Sequence, residues 1–209
     1  MPKNKTVMEK EIVDEIRGGY KSGFEGGGAF TSFSTDYYGK ISDASEKTIV
    51  KDILMELLKN KGSEPELRCK VAWICADLDI SGAEDEIRKL NADLRGSIYS
   101  NMTKSIMDDF AIEKQLIDEI SKTELKSDKQ IQNEIYNRAL ALQRKMRGDV
   151  SKMYGTKDKK LIEKKEDELS RYHTSSLLKR ILRSERSDAA LKAKVELLLA
   201  NLNLNDLRL

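Results

Sequence analysis

SEPELRCKVAWICADLDISGAEDEIRKL, residues 63–90, is the stretch on which the fold class turns. Ser63-Glu-Pro-Glu66 and Ser81-Gly-Ala-Glu84 each fit the capping box, in which a serine side chain takes an orphan N–H and the glutamate reaches back to another. After the first box, Leu67, Val71, Ile74, Cys75 and Leu78 recur at helical spacing. After the second, Ile87 and Leu90 start a new stripe. Apolar residues at intervals of three and four mark one face of an amphipathic helix. The stretch predicts two consecutive helices joined by a short turn.

The same pattern extends in both directions. Upstream, Asp43-Ala-Ser-Glu46 is a box with Asp as cap, and Ile49, Ile53, Leu54, Leu57 and Leu58 follow it. Downstream, Ile87, Leu90, Leu94, Ile98, Met102 and Ile106 predict one long helix bent near Gly96, continued by Phe110, Leu116, Ile117 and Ile120. Ser127-Asp-Lys-Gln130 precedes Ile131, Ile135, Ala139, Leu142, Met146, Val150 and Met153. Their spacing has an eleven-residue period, which keeps a stripe straight or slightly right-handed. Lys157–Leu169 is charged nearly all round, as a solvated helix or a helical linker is. A short helix is expected at Leu177, Leu178, Ile181 and Leu182, and a last one at Leu191, Val195, Leu198, Leu199 and Leu202.

The expected fold class is all-α: a helical bundle or short stack of helical hairpins, of seven to nine helices, with a Gly/aromatic-rich N-terminal loop. Composition suggests three sections: residues 1–44, 45–155 and 156–209. With 209 residues, 35% of them charged and only two prolines, the chain has the profile of an α-rich protein with long solvated faces. It has no run of about 18 apolar residues that would span a membrane. The start has no apolar h-region of a secretory signal. Cys69 and Cys75, six apart on one helix, are about 9 Å apart along its axis, too far for a disulfide. They read as small buried apolar residues. This usage fits a reducing compartment, and a cytoplasmic location is expected.

Residues 65–90 resemble a single HEAT-type helical hairpin. Pro65, Leu67, Arg68, Val71, Ala72 and Leu78 stand where its first helix and turn want them, and Ala83, Ile87 and Leu90 where its second helix does. The resemblance implies a helix-pair scaffold that binds other macromolecules.

Motifs for chemistry are incomplete. Asp77-Leu-Asp-Ile-Ser-Gly82 matches the opening of a calcium-binding EF-hand loop, but the main ligand position holds Arg88 and the apolar position holds Glu84. GFEGGGAF, residues 23–30, meets neither phosphate-loop pattern and has no predicted strand before it. His173 is the only histidine and has no histidine partner for a metal. Acidic pairs such as Asp108-Asp109 lack the histidine spacing of a di-metal bundle. No catalytic residue, metal or cofactor is expected. Trp73, beside an apolar stripe, reads as a core or interface anchor.

Two features point to partners. Residues 18–40 combine glycines with Tyr20, Phe24, Phe30, Phe33, Tyr37 and Tyr38. A loop of this length is usually functional or disordered, and its aromatics argue for packing on the body or ordering on a partner. The second feature is charge. Residues 138–186 hold fifteen Lys/Arg against seven Asp/Glu, whereas residues 1–137 hold twenty against twenty-six. The excess concentrates on two flanks, one with Arg144, Lys145, Arg147 and Lys152, the other with Lys179, Arg180, Arg183 and Arg186. Arg180, Arg183 and Arg186 recur every three residues, which suggests one face. Such residues are candidate contacts to an acidic protein surface or to a nucleic-acid backbone, where they would release counterions. The expected function is a non-catalytic protein–protein interaction protein, an adaptor or accessory subunit of a larger complex. The alternative is a sequence-nonspecific DNA- or RNA-binding subunit using the basic residues of 144–186.

Overall fold

The computed structural model describes residues 4–18, 33, 37–123, 137, 141, 158–184 and 186–201. Among these, α1 (Lys5–Gly18), a 3-10 turn (Tyr38–Lys40), α2 (Ala44–Lys59), α3 (Pro65–Asp77), α4 (Ala83–Asp93), α5 (Ser100–Lys122), α6 (Lys159–Arg183) and α7 (Ala189–Asn201) follow in order, with no strand. The protein is all-helical, as the periodicity predicts. The expected stripe over 131–153 and the Ser127 cap lie outside the described residues.

The chain divides into two compact units, Met1–Met107 and Asp108–Leu209. The division falls inside α5 and differs from the compositional sections. The reason is burial. Met8, Ile12 and Ile16 of α1 are buried, and α1 packs on α2 and α3, which ties the N-terminal helix to the helices after residue 44.

In the first unit α3 is the central helix. Leu67, Cys69, Val71, Ala72, Ile74, Cys75 and Ala76 are all buried, so apolar side chains surround it, as in a helix enclosed by others. α2 and α4 both pack on α3, and α2 also packs on α4. Asp43 caps α2 as predicted, its Oδ1 accepting from Ser45 N at 2.7 Å and Glu46 N at 3.1 Å.

The two serine boxes do not form. Glu64 holds the cap position of α3 and makes no side-chain bond, because the helix opens on Pro65. Proline presets the first helical φ and brings no N–H that needs a cap. Gly82 holds the cap position of α4 with φ 78°, again with no side-chain bond. The chain turns from α3 to α4 within five residues, using left-handed backbone at Asp79 (φ 48°) and Gly82. That reversal selects glycine over a serine cap. A third correction concerns Gly96. Its φ of 81° ends the expected long helix rather than bending it: α4 stops at Asp93, α5 starts at Ser100, and Ile98 is left 83% exposed.

In the second unit α6 and α7 pack on each other and share one core with the second half of α5. Ile112, Leu116 and Ile120 of α5 meet Leu177, Leu178 and Ile181 of α6 and Leu191, Val195, Leu198 and Leu199 of α7. The charged segment and the short helix predicted after residue 157 are one 25-residue helix, α6. Asp158 starts it, accepting from Lys160 N at 3.0 Å and Leu161 N at 3.4 Å. Lys194 Nζ of α7 donates to the Ile120 and Ser121 carbonyls at 3.2 and 2.9 Å. It thereby satisfies orphan carbonyls near the end of α5.

Candidate interaction surface

Of the six aromatic candidates, Tyr20, Phe24 and Phe30 lie outside the described residues. Phe33 is 2% exposed, so it is a core residue and not a surface for a partner. Its ring stacks on Tyr37 with centroids 5.1 Å apart. Tyr38 lies under the Lys47 ammonium of α2, 5.4 Å from the ring centre. Phe33, Tyr37 and Tyr38 are therefore fastened to their own chain.

Of the basic candidates, Arg144, Lys145, Arg147 and Lys152 lie outside the described residues. Lys179 is half-buried, and Arg183 and Arg186 are exposed. Arg180 departs from the expected exposed face, being only 6% exposed. Its guanidinium pairs through Nε and Nη2 with the Glu113 carboxylate of α5, and its Cζ stands 5.3 Å from the centre of the Phe110 ring. Helical geometry explains the departure. At 3.6 residues per turn, positions three apart are rotated by about 60°, and the edge of the core falls between 180 and 183. α6 then ends at Arg183, so Arg186 stands in the following turn, its N–H donating to Ser184 Oγ at 3.1 Å.

Glu113 is the partner that the sequence pattern overlooked. It stands three residues after Phe110 and three before Leu116, within an apolar stripe, which was the available signal. Arg68 is the matching case in the first unit. Its Nε donates to the Leu58 carbonyl near the end of α2 at 3.0 Å, and its Nη2 stands 3.9 Å from Asp93 of α4. Lys70, also buried, reaches Glu66 at 2.8 Å.

The remaining motifs resolve locally. Between Asp77 and Gly82, Ile80 is 7% exposed and its N–H donates to the Cys75 carbonyl at 3.0 Å. The segment is thus the closed joint of a helical hairpin. Among the described residues no group of three His, Cys, Asp or Glu is placed to hold a metal ion. Cys69 and Cys75 are free thiols, both buried. Burial pushes Cys69 up to about 11 and Cys75 higher still, so both stay protonated near neutral pH. A protonated thiol is a poor nucleophile. Trp73 is half-buried on α3, and His173 lies on α6. Among the described residues no helix is long and apolar enough to cross a membrane. Compared with known proteins, the chain matches no family model, no curated protein and no solved structure.

Proposed function

We propose that the chain is a non-catalytic protein–protein interaction protein, an adaptor or accessory subunit of a larger complex. One observation carries the reading: the two buried arginines, Arg68 and Arg180, are used to fasten helix to helix. Arg68 holds the end of α2 and faces α4. Arg180 joins α6 to α5. The two buried thiols are held in their protonated form. Groups that would carry chemistry in an enzyme are here built into the scaffold, which leaves the charged outer faces as the contact surfaces. The resemblance of residues 65–90 to a HEAT-type hairpin agrees with this use.

The test is affinity capture from the host with reciprocal capture of each candidate, followed by light scattering of the purified complex. A stoichiometric complex is expected. A monomer that forms no stoichiometric complex in either direction overturns the reading.

A second reading, binding to a nucleic-acid backbone, is favoured by the exposure of Arg183 and Arg186. Each side chain that neutralises a phosphate steepens the fall of log affinity with log salt by roughly 0.9 on duplex DNA. Under this reading the double variant R183E/R186E removes two such side chains and makes that slope shallower by about 1.8. Absence of DNA or RNA retention even at low salt removes this reading.

A further inference from the structure

We infer that Lys194 is a positioning residue: it fixes where the α6–α7 hairpin stands along α5, as the stop against a slide of one helical turn. The inference stands apart from the adaptor reading, because it concerns only how the second unit holds its own helices.

The apolar contacts leave the axial position open. α6 and α7 pack on each other and are joined by residues 184–188, so they travel along α5 together. What they meet there is a repeat. Ile112, Leu116 and Ile120 stand four residues apart, and the hairpin answers them with aliphatic side chains, among them Leu177, Ile181, Val195 and Leu198. Burial of such side chains is favourable but non-directional. A shift of one turn, about 5.4 Å, still sets aliphatic on aliphatic at two of the three levels.

Polar groups decide the position. A slide toward the end of α5 is blocked by Arg180, which is 6% exposed and paired with Glu113. One turn beyond Glu113 on the same face stands Ile117, which offers the guanidinium no carboxylate. A slide toward the start of α5 is not blocked in this way. One turn before Glu113 stands Asp109, and both acids are 7% exposed. Arg180 therefore meets a buried carboxylate in either place.

Lys194 blocks that second direction. It stands within the apolar stripe of α7, three residues after Leu191 and four before Leu198. Its Nζ donates to the Ile120 and Ser121 carbonyls at 3.2 and 2.9 Å. α5 ends at Lys122, so both carbonyls lack the helical N–H four residues on. The same end carries Glu119, whose Oε2 is buried without a hydrogen bond. A carboxylate beside the negative end of a helix adds to its pull on a cation. One turn back, the ammonium would stand level with Leu116 and Ile117, whose carbonyls accept from N–H groups inside the helix. The stripe repeats at every turn, but the helix has one C-terminal end.

Nitroxide labels measure the slide. They are attached through A111C on α5 and A193C on α7, two exposed positions, in a C69A/C75A background. Ala111 lies about 14 Å before Ile120 along the axis, and the slide shortens the axial separation of the labels by about 5.4 Å. Double electron–electron resonance is expected to give one distance with Lys194 in place. K194M should add a second, shorter distance at a population at least about tenfold higher, since a hydrogen bond from a charged donor outweighs a factor of ten. K194R keeps a charged donor and is expected to hold the single distance. K194M/D109N removes the charge that would receive Arg180 and should also return to the single distance.

A K194M protein, folded by circular dichroism, that keeps the single distance overturns the inference. So does a second distance that persists in K194M/D109N, or one that K194R shows as strongly as K194M. If K194M does not fold, K194Q replaces it in the same measurement, with the same result expected and the same results overturning the inference.

Discussion

Arg68 in α3 and Arg180 in α6 are 7% and 6% exposed, yet the two units hold their buried arginines in different ways. Arg68 gives its Nε to a backbone carbonyl, Leu58 O at 3.0 Å, and its nearest carboxylate oxygen, on Asp93, is 3.9 Å away. Asp93 is shared with Lys61 at 3.2 Å and is partly open to solvent. Arg180 gives its guanidinium to Glu113, also buried, and stacks on Phe110. The first arginine serves the end of a helix, where partial negative charge collects on the last carbonyls. The second is half of an ion pair removed from water, where the attraction must offset the desolvation of both groups. A surrounded helix such as α3 has neutral carbonyls near at hand. In the second unit Glu113 of α5 supplies a carboxylate instead.

The largest effect is therefore expected from cutting the ion pair on one side. Glu113→Ala leaves Arg180 charged and buried, which costs about 3–5 kcal/mol. Hydrogen exchange should rise in α6 and α7 and stay unchanged in α2 and α3. The double variant E113L/R180M removes both charges and should recover most of the loss, because well-packed apolar replacements of buried pairs are often neutral or better. A single variant that costs under about 1 kcal/mol in urea denaturation would show that the pair does not fasten α5 to α6.

Arg68→Met is expected to cost less, about 1–3 kcal/mol, since it leaves a neutral carbonyl unsatisfied rather than a buried charge. Its signature is also local: faster exchange at the end of α2, with α6 and α7 undisturbed. A loss as large as that of Glu113→Ala would mean that Asp93, despite its distance, is the principal partner, and the contrast between the units would fail.

These arginines show what a linear pattern can and cannot carry. Helix identity was legible because it depends on near neighbours: Ile53, Leu54, Val71 and Ile74 of the expected stripes are buried, whereas Ile49 and Leu78 are only half-buried and Val50, Cys69, Ala72 and Ala76 are buried outside them, because α3 is enclosed by other helices. Helix ends were less legible. At Ser63 the cap pattern was overridden by Pro65, and at Ser81 by a reversal that needs positive φ at Gly82. At Gly96 the sequence predicts only a bend, because Ile98 continues the stripe, whereas in the fold Ile98 stands in solvent. Longest-range information was the least legible. Glu113 and Arg180 are 67 residues apart, and nothing local to Arg180 distinguishes it from Arg183, so a three-residue recurrence looked like one exposed face. In sequence Phe33 looks like the five other aromatics of its segment for the same reason: burial belongs to the fold, not to the segment.

The smallest effect sharpens the comparison from the exposed side, where a charge meets the backbone in water. Asp43 caps α2, and its carboxyl is held below the ordinary value of 3.8 by the Ser45 hydroxyl first and by the Glu46 and Ser45 backbone N–H groups after it. A carboxyl whose value is lower in the folded chain stabilises it fully above the ordinary value, and that contribution fades as pH falls through the folded value. Asp43→Asn keeps an oxygen for the same N–H groups but cannot titrate. The difference in urea midpoint between wild type and D43N should be constant above about pH 5 and shrink as the pH falls below the ordinary carboxylate range. Asp43→Ala removes the cap at every pH and should lower the midpoint even in acid, where D43N and wild type converge. If D43N and wild type differ by the same amount at about pH 2.5 as at about pH 7, the carboxylate charge does not act through the cap.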